Sequence, residues 1–460
     1  MKRVMAGLVL CAVSLSLRAG CFSGSEMAQN STVTLFEQMS YQKKQTSPWQ
    51  IAGKNPYTRN NLFNDAGVSV TSNCSLKDNV LNLDFSLYGL TWYNVRPTGA
   101  FESDTHRSRA LIEQLRLVYA VSDHVQLEAG KLKAKPGLFF LHSPSDLIST
   151  WYGGFKPTRL YQPQMRSVYP SSSWAATLQA DNPDHALSLT LVPRLATIDK
   201  PYLSSGNWSA SQRGNSSEAW LLSYTSHQFS DHTPGVRVLL GESRSVALSD
   251  SFRYTPQLTL NAEAAYHTAQ RWRHLSDAQR NALERYTFPA SLYQAEDKQG
   301  VELAVGGQYA SETFDVFGLE YYFQSEGYSR SRWQKQRQLV RFLNTRSGFG
   351  PLDRAFDDYK YLMSSEISNT GNKGMLQGKH YINAWSSLQF AGQTKLQPYL
   401  ILNLVDNSSL AGFHVSTPLS AVSERLELFS GLGAVLGSAD SEFALFGQSA
   451  GIYLGFNYYL

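Results

Sequence analysis

From about Asn64 to the C-terminus the chain repeats a two-residue hydrophobic period. In the last segment Ala450, Ile452, Leu454, Phe456, Tyr458 and Leu460 alternate with Gly451, Tyr453, Gly455, Asn457 and Tyr459. Leu81, Leu83, Phe85 and Leu87 alternate with Asn82, Asp84, Ser86 and Tyr88, and Leu187, Leu189 and Leu191 with Ser188 and Thr190. Leu258, Leu260, Ala262 and Ala264 alternate with Thr259, Asn261, Glu263 and Ala265, and Val301, Leu303 and Val305 with Glu302, Ala304 and Gly306. On a pleated strand each set lies on one face. The polar set holds Asp84, Arg116, Arg237, Glu263, Glu302, Glu320 and Glu427. A soluble secreted β-protein shares the alternation, but its core has no place for the second face of so many long strands. The pattern therefore predicts an all-β transmembrane antiparallel barrel, apolar towards lipid and polar towards a lumen.

The connections alternate in length. Short turns near Leu76–Asp78, Ser122–His124, Asp181–Asp184, Phe229–Pro234, Tyr254–Pro256, Ala310–Glu312, Ala391–Gln393 and Thr417–Ser423 are separated by longer stretches, the largest at 93–109, 135–172, 195–216, 269–297 and 325–377. Such barrels put short turns in the periplasm and long loops outside. Seventeen strands follow residue 64, and parity requires one more before them, for which Ser31 to Gln42 is the candidate. The expectation is about 18 strands spanning 30–460, with 16 possible if 241–252 forms one bent strand. Two outer insertions carry helical patterns: Ser276-Asp277-Ala278-Gln279 is a capping box opening a helix to about Tyr286, and Arg332 to Asn344 has helix-forming composition with Trp333, Leu339, Val340 and Leu343 on one face.

Composition agrees. Charged residues make up 17% of the 460, aromatics 12% with 25 Tyr and 23 Phe, and mean hydropathy is −0.30. Past the first seventeen residues no apolar run approaches the roughly 20 residues of a membrane helix. A net charge of +4, spread along the chain, gives no footprint for nucleic acid. Lys2, Arg3 and the apolar stretch Val4 to Leu17 read as a secretory signal over 1–19, with cleavage as late as 28 an alternative. Gly20-Cys21 has the form of a lipoprotein site, with Arg18 where an aliphatic residue is wanted. Only Cys74 is certain to outlast export, which reads it as a small apolar strand residue in a fold not built on disulfides.

The 130–170 connection is the richest in candidate chemistry. It carries Lys131, Lys133, Lys135, Lys156, Arg159 and Arg166 against a single carboxylate, Asp146, while Pro136, Pro144, Pro157, Pro163 and Pro170 exclude long helix. Phe139, Phe140 and Leu141 form an apolar patch whose nearest cover is the barrel interior. One reading is an inward loop that narrows the pore; the other is a solvated outer loop. The pore-lining candidates are Arg116, Glu128, Lys131, Lys133, Lys135, Asp146, Arg159, Arg166, Arg237, Glu263, Glu302 and Glu320, whose opposed charges would set up a transverse field. A second basic cluster, Arg330, Arg332, Lys335, Arg337 and Arg341 with Arg346, either lines an outer vestibule or is a solvated face, with Asp353 to Tyr361 bringing acids nearby. The ten histidines are scattered singly, with His267 and His380 placed to face the lumen. No metal spacing, phosphate loop or nucleophile elbow is present.

The strand ending in Gly130-Lys131, the break that follows, then Ser143-Pro144-Ser145-Asp146-Leu147 and a later arginine resemble large single-chain bacterial outer-membrane porins, among them the alginate-export type. Lys131-Leu132, Pro136-Gly137 and Ser143-Pro144 stand where that group usually has Arg-Gln, Trp-Gly and Asn-Pro. The resemblance implies a passive channel or exporter in the Gram-negative outer membrane. Passage of small polar or anionic solutes without a cofactor is the leading expectation. Export of a polymer or hydrophobic compound, an adhesive barrel with a plugged lumen, and an outer-membrane hydrolase are the alternatives. The expected partners are outer-membrane lipid and lipopolysaccharide, small solutes, and the barrel-assembly machinery through the last strand, where Leu460 replaces the usual terminal aromatic; monomer and trimer both stay open.

Overall fold

The computed structural model describes residues 29–50, 61–77, 80–94, 108–133, 137–148, 172–195, 215, 217–296, 298–372, 376–390, 393–445 and 447–460. The alternating segments form β1 (Ser31–Lys44), β2 (Leu62–Lys77), β3 (Leu81–Asn94), β4 (Ser108–Ser122), β5 (Val125–Lys133), β6 (Ser172–Asp181), β7 (His185–Val192), β8 (Ala219–Ser226), β9 (Gly235–Gly241), β10 (Ser245–Arg253) and β11 (Leu258–His267). They continue, after a short ribbon of β12 (His274–Leu275) and β13 (Tyr293–Gln294), as β14 (Gly300–Ala310), β15 (Val316–Gln324), β16 (His380–Gln389), β17 (Lys395–Asn403), β18 (Ser408–Pro418), β19 (Leu426–Leu436) and β20 (Gln448–Tyr459). Eighteen strands make one sheet in which each pairs antiparallel with its sequence neighbours. The sheet closes where β1 meets β20, from Thr34 opposite Tyr459 to Lys44 opposite Gln448. Closure removes every free strand edge, which a bilayer requires because nothing there satisfies an open backbone. The strand inferred from parity at 31–42 is thus the closing partner, and 235–253 holds two strands joined at 242–244.

The period-two pattern sorts as lipid and lumen demand. Leu35, Met39, Leu178, Leu189, Leu222, Leu248, Leu260, Leu303, Leu319, Leu432 and Leu454 are large, apolar and exposed on the outside. Among the described residues no helix is long and apolar enough to cross a membrane. Facing inward, bulky rings on one strand fill the space left by glycines on the next. A Cβ on Gly318 would lie 2.3 Å from the Trp385 ring, and one on Gly455 2.3 Å from Phe429.

The outer connections add three helices, α1 (Asp277–Glu284), α2 (Arg330–Leu343) and α3 (Gly350–Asn372). Their apolar faces form a second core with Trp49, Trp272, Tyr328, Val405 and Leu445 that caps the outer mouth. The first two helices fall where their patterns predicted them. The third is not predicted: the acids of 353–361 mask Leu352, Phe356, Tyr359, Met363 and Ile367, which recur at helical spacing behind Pro351, a residue suited to a first turn. Cys74 departs from its reading in part: it is buried with Leu76 and Leu81, but it is disulfide-bonded. The signal segment also lies outside them.

Gly318→Ala should overpack the inner wall and cost about 1–3 kcal/mol. A urea titration of the refolded barrel measures this, and an unchanged midpoint would contradict the tight Gly–Trp385 fit.

Candidate functional site

The lumen is organised by a segment of the long 134–171 connection. Residues 137–148 lie inside the barrel, and wall carboxylates hold their backbone. Glu263 on β11 accepts from Leu138 N (2.8 Å), Ser143 Oγ (2.6 Å), Ser145 N (3.0 Å) and Ser145 Oγ (2.8 Å). Glu320 on β15 accepts from Phe140 N (2.8 Å) and Leu141 N (3.0 Å), with Asn383 Nδ2 and Trp385 Nε1 completing its shell. Arg237 on β9 donates to the Ser145 carbonyl oxygen at 2.9 Å. An irregular segment inside a barrel has no ladder to bond to, so side chains of the wall satisfy it. Pro144 interrupts any helix, and Phe139 and Leu141 are buried against Tyr322, Tyr381, Tyr399, Leu410 and Phe443. The Phe139–Leu141 patch is therefore covered by the barrel interior.

Beside this anchorage sits a dense charge cluster. Glu302 on β14 meets Arg271 Nη2 (2.8 Å), His142 Nε2 of the inward segment (3.2 Å) and His267 Nε2 (3.1 Å), and accepts from the Tyr322 hydroxyl. Arg271 also reaches Glu326 (3.3 Å). At the outer mouth a short 3-10 turn, Glu442–Ala444, packs against the ends of β18, β19 and β20. Glu442 accepts from Gln377 N (2.8 Å), Tyr381 OH (2.5 Å) and Asn403 Nδ2 (2.6 Å), while its own amide donates to Asp406. Burial first, and then the Asp406 charge, push its carboxyl up to about 8.

The side of the lumen walled by β11 and β14 to β18 is thus filled. Along β5 to β9 a cleft of about 160 Å³ remains, open to solvent. Ser188, Thr190, Ser223 and Thr225 line it, with Leu147 and Ile148 of the inward segment opposite.

The predicted pore residues separate into groups. Glu128, Lys133, Asp146 and Arg237 line the cleft. Arg116 pairs with Asp84 (2.5 Å) and Glu128 (3.3 Å) on the wall. Lys133 pairs with Glu113 (2.8 Å), and the buried Lys131 donates to the Ile112 carbonyl within reach of the same Glu113. Glu263, Glu302 and Glu320 serve as anchors rather than as a free acidic row, and Lys135, Arg159 and Arg166 lie outside the described residues. Among the described residues no carboxylate pairs with Arg237.

The outer basic helix is neutralised rather than turned to the vestibule. Arg337 and Arg341 share Asp440 (2.7 and 3.0 Å), Lys335 holds Asp277 (2.7 Å), and Arg332 stands 3.7 Å from Glu296. Arg330 bonds the Val405 carbonyl and Asn407, and Arg346 bonds Asp357. His267 faces inward, as expected, but His380 lies on the opposite face from Tyr381 and Asn383 and bonds Tyr321 OH. The residues that sequence reasoning missed are Glu113, His142, Ser143, Ser145, Arg271 and Glu442. The only local signal was the Ser-Pro-Ser triplet, whose hydroxyls and freed amide suit a carboxylate.

A closed barrel of this size, with one outer segment folded into its lumen, has the architecture of a large outer-membrane porin. Solved structures with this fold include Acinetobacter baumannii OccAB1 (TM-score 0.50, 10% identity, covering 96% of this chain and 98% of that one) and Pseudomonas aeruginosa OccK8 (OprE) (TM-score 0.50, 11% identity, 94% and 98%). At such identity the likeness is one of fold. No family model and no curated protein sequence matches the chain.

Two predictions follow from these anchors. Glu263→Gln puts an amide nitrogen among four donors and should cost about 1–3 kcal/mol; faster proteolysis within 137–148 of the folded barrel is the readout, and unchanged cleavage would contradict the anchorage. Glu442 is held neutral in the fold but ionises near 4.3 in an unfolded chain. The unfolded state therefore binds fewer protons between those values, and stability present below about pH 4 is lost as pH rises towards about 8. Unfolding midpoints measured across that range should fall, and Glu442→Gln should flatten the fall.

Proposed function

We propose that this chain is a passive outer-membrane channel for small polar solutes, whose path follows the β5–β9 side of the lumen. The observation that carries the reading is the half-filled barrel: the inward segment and its packed aromatic partners occupy one side, and an open cleft lined by hydroxyls, aliphatic side chains and four charged residues lies on the other. The exposed apolar belt fits a lipid surround, and the fold it shares with OccAB1 and OccK8 supports the same placement.

Selectivity in this reading is local. Because Arg116, Lys131 and Lys133 have nearby acids, the transverse field expected from opposed rows collapses into short pairs. Arg237 keeps donors turned to the cleft and favours solutes that carry negative charge. One unit charge a few ångströms from the path is worth about 1 kcal/mol in water-like surroundings.

Planar-bilayer recording tests the proposal. Discrete conductance steps with a reversal potential on the anion side are expected, and Arg237→Ala should lower the anion-to-cation permeability ratio roughly fivefold. A folded barrel that stays electrically silent would refute the channel, and a cation-selective pore would refute the role of Arg237.

A further inference from the structure

The 268–299 and 325–379 connections leave a second cleft of about 310 Å³ between them, over the tops of β14, β15 and β16. Glu296 and Lys298 line it from one connection, and Glu326, Ser329, Arg332 and Lys379 from the other. The charges there do not cancel. Glu326 is buried and already faces Arg271. Glu296 bonds Lys298 at 2.5 Å, and that hydrogen bond first, aided by the Arg332 charge, holds its carboxyl below the usual range, so it is fully ionised. Arg332 reaches Glu296 only at 3.7 Å. Lys379 has no side-chain hydrogen bond or ion pair to any described residue. Three cations thus share one open carboxylate. Ser329 caps α2 at the same wall, adding the positive end of a 14-residue helix.

We propose that this cleft binds a phosphate group, with Lys379, Arg332 and Lys298 supplying charge-assisted hydrogen bonds to its oxygens. Three cationic side chains from two separate connections can reach a tetrahedral oxyanion from different directions, whereas the paired basic residues farther along α2 cannot. Every other cation of that helix is held by a carboxylate or a backbone carbonyl, Arg337 and Arg341 sharing Asp440. Two sources carry this chemistry on the outer side of such a membrane: a free phosphate compound, or the phosphates of lipopolysaccharide. The site does not depend on the channel reading.

The test is calorimetric titration of the full-length barrel, in phosphate-free detergent buffer, with inorganic phosphate and with purified lipopolysaccharide. Saturable phosphate binding is expected, weakened about tenfold by Lys379→Ala and by Arg332→Ala and weakening further as salt rises. Lys379→Arg should retain it. Lipopolysaccharide that displaces phosphate assigns the site to lipid; phosphate binding that lipopolysaccharide leaves intact assigns it to a soluble compound. Absence of saturable binding of either probe, or equal binding by the alanine variants, overturns the proposal. Bilayer conductance of the Lys379→Ala barrel serves as the folding control, and it separates failure of this site from failure of the channel.

Discussion

The arrangement of the lumen rests on two wall carboxylates that bond to backbone. Glu263 and Glu320, each 2–3% exposed, take the amides of Leu138, Phe140, Leu141 and Ser145 and two serine hydroxyls. A buried carboxylate without donors is costly, and so is a buried run of amides without acceptors; each answers the other. Their union fixes where Phe139 and Leu141 pack, and so which side of the barrel is filled.

That constraint also explains why charge counting along the chain misplaced the electrostatics. In a strand pattern Glu263, Glu302 and Glu320 look like an acidic row facing water. In the barrel they are satisfied by a segment more than a hundred residues away in sequence, and by His142, His267 and Arg271. Lys131 and Lys133 converge on Glu113, which sits at a register shift between β3 and β4 that no periodicity shows. Arg337 and Arg341 are similarly matched by Asp440, and Lys335 by Asp277, each acid from a different connection. Low dielectric makes such pairing compulsory wherever charges are buried, and the partners are set by topology rather than by sequence neighbourhood.

What the sequence made legible was whatever depends on local period and on parity. Alternation located the strands, the count of turns demanded β1 before any local pattern identified it, and the Ser276–Gln279 pattern marked α1, although Ser276 makes no side-chain cap bond there. The closing pair of β1 and β20 follows from those two rules together. What stayed hidden depends on long-range packing: α3, whose apolar spacing was masked by its acids, the disulfide at Cys74, and the 3-10 turn of Glu442 set among Tyr381, Asn403 and Asp406.

The proposed path makes the two sides of one lumen chemically different, and cysteine accessibility reads that difference directly. Ser223→Cys on β8 and Asn383→Cys on β16 both point inward, the first into the cleft and the second into the packed side. During bilayer recording, a charged thiosulfonate reagent should block current through the Ser223→Cys barrel and leave the Asn383→Cys barrel conducting. Block at Asn383→Cys with none at Ser223→Cys would contradict the account.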